Sequence, residues 1–166
     1  MAAMESTPLA HTSTEASETT DAGHTVKAVE MTRIAMCSVG IALGYATYYR
    51  AFAALVVLSL AGVTGLESLL LGDASARSKG WPTGSPYQAQ SACNNLALAI
   101  GAVLFLGIQN DAALAGVVVV TITFICLSSI NHLLTTARER IHTFRFLGAI
   151  ALAAGAAPVI YLWGVL

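Results

Sequence analysis

Beyond Lys27, almost all of the chain consists of four or five apolar runs, each about long enough to cross a bilayer. Val117–Leu134 and Phe146–Leu166 are the clearest, with almost no charge over roughly the 20 residues that a spanning helix requires. This decides the solvent before any fold is considered: the chain is expected to live in lipid. The expected fold class is an all-α integral membrane helical bundle. Apolar helices say where a protein sits and seldom what it does, so the informative residues are the few polar ones.

Composition agrees. Of 166 residues, 56% are hydrophobic and 10% charged, where soluble chains carry about 25% charged residues. That length suffices for one compact bundle and no second folded domain. A net charge of −1 gives no reason to expect nucleic acid as a partner. Cys37, Cys93 and Cys126 are far apart, odd in number and without a C-x-x-C spacing. A disulfide framework and a redox pair are therefore not expected, and the three thiols read as buried packing groups.

The first 25 residues are rich in Ser, Thr, Ala and Glu with no apolar periodicity. Such a segment buries too little surface to offset its ordering entropy. Residues 1–30 are therefore expected to form a disordered cytoplasmic tail, ahead of a transmembrane bundle over 31–166. The acidic, polar start does not resemble a signal peptide.

The expected spans are Ile34–Tyr49, Phe52–Leu71, Cys93–Ile108, Ala112–Leu134 and Phe144–Leu166. The Tyr49-Arg50 junction lacks Gly or Pro, so Ile34–Leu71 could instead be one long helix, leaving four spans. Basic residues favour the cytoplasmic side of a membrane and arbitrate between the two. With five spans, Lys27, Arg33, Arg77, Lys79, Arg138, Arg140 and Arg145 share one side and only Arg50 takes the other. Five spans give the cleaner segregation. They place the N-terminus in the cytoplasm and the C-terminus outside, in a cell (inner) membrane. Gly40 with Gly44, Ala97 with Gly101, and Ala151 with Gly155 have the small-x-x-x-small spacing that lets helices approach closely in lipid. Pro158, inside the last span, is expected to kink it.

Charge inside a membrane is costly, so each intramembrane polar residue needs a reason. Glu67, Asn94, Asn95, Ser128, Asn131 and His132 all fall near the cytoplasmic ends of their spans in the five-span topology. Gln88, Ser91 and Asn95 share a helix face if the third helix begins near Pro86, as do Ser128 and His132. A cluster of Glu67, Gln88, Asn95 and His132 around a small polar cavity is therefore geometrically available. Adjacent Glu and His could exchange a proton near neutral pH. The simpler accounts are interfacial snorkelling and amide bonds between helices.

The connector Gly80–Asn95 is the most distinctive stretch. Trp81 and Tyr87 suit an interfacial aromatic belt, and Pro82 and Pro86 fix a tight entry into the third helix. Its residues Gly80-Trp81, Ser85-Pro86-Tyr87-Gln88, Asn95-Leu96 and Gly101 follow a recurring pattern. In this the chain resembles a family of small bacterial integral-membrane proteins defined only as a domain of unknown function. The likeness covers about Phe52–Leu166, and His132 matches that family's intramembrane histidine. Gln90 stands where the family has an acidic residue, and Asn131 where it tends to have Gly. The resemblance implies a multi-span bundle in a bacterial inner membrane and no particular activity. A more distant likeness to quinone-linked membrane proteins of the DoxX type rests on size and helix count alone.

No metal-ligand spacing, phosphate-binding loop, nucleophile elbow or dinucleotide fingerprint occurs, so no metal and no cofactor is expected. The segment Arg138-Glu139-Arg140 with His142 and Arg145 reads most simply as a basic loop that sets orientation. Three functions follow as expectations. The first is a non-catalytic scaffold that binds a second copy or another membrane protein. The second is a proton-coupled or small-solute carrier using the polar cluster, and the third a quinone-linked redox protein.

Overall fold

The computed structural model describes residues 12–78, 82–135 and 140–164, and every regular element among them is a helix. They are α1 (Thr12–Tyr45), α2 (Tyr49–Leu70), α3 (Gly72–Ser78), α4 (Pro86–Gly107), α5 (Asp111–Thr135) and α6 (Arg140–Trp163). Helices meet the demand that hydrocarbon makes, since each satisfies its own backbone groups. Among the described residues four segments are long and apolar enough to cross a bilayer: Tyr49–Leu70, Pro86–Gly107, Asp111–Asn131 and Phe146–Trp163. The molecule is an all-α membrane bundle.

The junction left open by the sequence is a reversal, so the single helix Ile34–Leu71 does not form. Helix α1 ends at Tyr45, Thr47 takes a left-handed φ of 69°, and α2 begins at Tyr49. The Tyr48 N–H donates to the Leu43 carbonyl at 2.9 Å and the Thr47 N–H to Gly44 at 3.0 Å, the Schellman pattern of a helix end. From this corner α2 runs back along α1, with Gly44 against Phe52, Gly40 against Leu55 and Val56, and Arg33 beside Thr64. The apolar part of α1 is thus a fifth helical segment, although it falls outside the four of spanning length.

The tail is drawn differently from the expectation. Helix α1 is described from Thr12 onward, so residues 12–30 belong to it, and Val26 is buried at 3% exposure. Residues 1–11 lie outside the described set. The polar stretch after Leu71 also holds a helix, α3, which packs on α1 and α2.

Helix α2 is the centre. Half of its spanning window is buried, against 22%, 28% and 17% for α4, α5 and α6. Phe52, Val56 and Val57 are fully buried with Leu114 and Val118 of α5 and Val159 of α6. Leu70, Leu104, Leu127 and Tyr161 instead face outward, as lipid solvation allows. Lipid supplies no hydrophobic force between helices, so their association rests on close packing. Side chains are excluded where helices meet: a Cβ on Gly44 would clash with Val159, and one on Gly65 would lie 2.8 Å from Leu96 and 3.1 Å from the Ala92 carbonyl. Gly40 and Gly155 face neighbouring helices likewise, whereas Ala97 and Ala151 are exposed. Pro158 sits on an exposed side of α6, within the helix.

The middle of α2, Leu58–Val63, is π-helical. Ser59, Leu60, Ala61 and Gly62 are buried in succession there. A regular α-helix turned to one neighbour cannot hide four consecutive residues. The wider π turn does so while contacting α1, α4 and α5.

Candidate functional site: two polar ends

Polar side chains gather at the two ends of the bundle. One end carries α3 and the entry to α4, hereafter the connector end. The other carries the two tight corners and Trp163.

At the connector end Glu67 is buried at 5% exposure. The Ser75 hydroxyl of α3 donates to its Oε1 at 2.5 Å. Arg33 of α1 donates through Nη1 to Thr64 Oγ1 at 3.0 Å and to Glu67 Oε2 at 3.5 Å. The other Arg33 nitrogen lies 3.8 Å from Glu30, one turn back on α1. A buried carboxylate is tolerable only when paired and hydrogen-bonded, and this one is both. One acidic side chain therefore joins α1, α2 and α3. Arg33, Thr64 and Ser75 escaped the sequence reading because their partnership depends on the reversal at Thr47. Arg33 and Glu67, bracketing that reversal on antiparallel helices, were the available signal.

The other predicted site residues face different neighbours. Gln88 abuts Gly72, where a Cβ would stand 2.8 Å from its amide nitrogen. Asn95 is 3% exposed on the stripe of α4 that packs against α2. Its flanking residues Ala92 and Ala99 meet Gly65 and Gly62, and its Oδ1 has no hydrogen-bond partner among the described residues. His132 belongs to α5, but its side chain lies outside the described residues, as do Gly80, Trp81 and Arg138. In the connector, Ser85 is the extended residue before α4, Pro86 takes the first turn and Tyr87 is 77% exposed. Gly84, at φ 71°, donates its N–H to the Asp73 carboxylate at 3.0 Å, tying the loop to α3. Asp73, Arg77, Ser85 and Gln88 line an open cavity of about 480 Å³.

At the corner end, Arg50 grips Asp111 with two bonds, Nε to Oδ1 at 2.7 Å and Nη2 to Oδ2 at 3.1 Å. Tyr49 stacks on Trp163 with ring centres 5.8 Å apart, and its hydroxyl donates to the Leu162 carbonyl at 3.3 Å. The α4–α5 corner repeats the first: Gln109 has φ 55°, and Asn110 donates to Phe105 at 3.0 Å. The Asn110 side chain then caps α5 by accepting from the Ala113 N–H at 3.0 Å. By sequence Arg50 stands alone on its side of the membrane, with no link to Asp111. They close the bundle as a pair.

No group of three His, Cys, Asp or Glu able to hold a metal exists among the described residues. All three cysteines are free: Cys37 is buried, Cys126 half-buried, and Cys93 exposed, contrary to its expected packing role. Cys93 lies on the outward side of a peripheral helix, where thiol and lipid are compatible. No protein-family model, curated protein or solved structure matches the chain.

Proposed function

We propose that this protein is a non-catalytic, multi-pass scaffold of the inner membrane whose work is to bind another membrane component. One observation carries the reading. The charged group most costly to bury, Glu67, is held by Arg33 and Ser75 as a fastening between helices. The centre of α2 supports the same reading, since Phe52, Val56, Leu114 and Val118 fill it at 0% exposure. The two open cavities lie at opposite ends of that packed core, one lined by Asp73 and Gln88, the other by Arg50 and Trp163. A carrier needs its acid free to change partners, whereas this one is anchored. The placement of Lys27, Arg33 and Arg77 at the connector end supports a cytoplasmic location for that end.

The test is reconstitution of the whole chain into liposomes under a pH gradient. Proton movement is expected to match protein-free vesicles, with Glu67→Gln indistinguishable from the parent. A flux present in the parent and lost in Glu67→Gln overturns the scaffold reading in favour of the carrier.

A further inference from the structure

The outward face of α4 carries amides within a segment long and apolar enough to span a bilayer. Gln90 and Asn94 are both exposed, and neither side chain makes a hydrogen bond among the described residues. Asn94 lies about 12 Å along α4 from Pro86, within the segment Pro86–Gly107 that is long and apolar enough to cross a bilayer. An amide there loses the hydrogen bonds that water would supply, and acyl chains replace none of them. Thr123, exposed on α5, is by contrast of a kind that can bond its own helix, as Thr121 does to the Val117 carbonyl at 2.8 Å.

The amides do not stand alone. Gln90, Asn94, Ala97, Gly101 and Leu104 follow one another in alternating steps of four and three residues. This is the seam of two helices that pack along their length. Gln90, Asn94, Ala97 and Leu104 are exposed, and Gly101 is half-buried. Within its own molecule Gly101 would meet only Val117, at 4.0 Å from an added Cβ. The small residues let a partner backbone come close enough for short amide side chains to reach across. The outward face of α6, with Leu147, Ala151, Ala154 and Pro158, is equally unpartnered but wholly apolar, and lipid covers it without loss.

We propose that a second copy of this chain packs against α4 along the Gln90–Leu104 seam, with Asn94 of each copy hydrogen-bonded to Asn94 of the other. An amide is donor and acceptor at once, so it is its own complement across a two-fold axis. Copies inserted with one topology meet with α4 parallel, which sets equivalent seam positions opposite each other. The proposal deepens the scaffold reading and rests on it, naming as first partner the protein itself.

Energy transfer between donor- and acceptor-labelled full-length chains in liposomes, diluted with lipid, measures the association. The parent is expected to pair, with Asn94→Leu about tenfold weaker and Asn94→Gln close to the parent. Ala154→Leu on α6 should leave pairing unchanged. Cross-linking guards against misfolding: in a Cys37→Ser, Cys93→Ser, Cys126→Ser background, Ala97→Cys should form a disulfide dimer in the membrane and Ala154→Cys should not. A chain monomeric at every dilution, pairing indifferent to Asn94→Leu, or cross-linking at Ala154→Cys in place of Ala97→Cys overturns the proposal. Flux in the same vesicles reads the scaffold reading separately, since a monomer without flux sinks only the pairing.

Discussion

Arg33 shows how much one residue can hold in a bundle with no hydrophobic force between its helices. Its guanidinium answers Glu67 and Thr64 on α2 and Glu30 on its own helix. Removing it leaves a carboxylate that is 3% exposed with its cation gone. Arg33→Met should therefore destabilise the protein by about 3 kcal/mol, and adding Glu67→Leu should restore most of the loss. Thermal unfolding in mild detergent, run as a double-mutant cycle, measures both. Equal and additive losses would show that the two side chains stand independently. Asn95 is the opposite case, a buried carbonyl oxygen without a partner among the described residues. Sequence reading could select Glu67 and Asn95 as polar groups in the wrong solvent. It could not say that one was fastened and the other not, because fastening depends on a reversal invisible in the apolar pattern.

At the scale of elements, the apolar runs were legible and their ends less so. The corner after α4 falls on the polar run Gln109-Asn110-Asp111, and the structure turns there. The corner after α1 carried no turn residue and was legible only in the distribution of basic residues, because left-handed positions usually carry Gly and Thr47 occupies this one at φ 69°. A β-branched residue in that region is strained. Thr47→Gly should accordingly raise stability by about 1 kcal/mol, seen as an upward shift of the unfolding midpoint. No shift, or a fall, would mean that the threonine side chain contributes more than its backbone costs. The π segment of α2 left no trace in the sequence, since Leu58–Val63 is apolar whatever its turn. It is legible only in the neighbours, three helices that need a broader face than an α-helix offers.

At the scale of the whole molecule, the two ends differ in kind. The tight corners, Arg50 with Asp111, and Tyr49 with Trp163, all meet at one end. Arg33, Glu67, α3 and the entry to α4 meet at the other. A membrane-impermeant maleimide should therefore label Lys27→Cys and Thr83→Cys from one side, and Thr47→Cys and Asn110→Cys from the other, in a cysteine-free background. Labelling of Thr47→Cys and Thr83→Cys from the same side would break the topology. The bidentate pair at the corners has a consequence for the lipids themselves. Arg50 and Asp111 cancel each other, so the face they close is electrically quiet, while the opposite face carries Lys27 and Arg77 together with Glu30 and Asp73. The surface charge of one leaflet would therefore act on this protein strongly and that of the other hardly at all. The molecule would sense the lipid composition of one leaflet and drift through the other unnoticed.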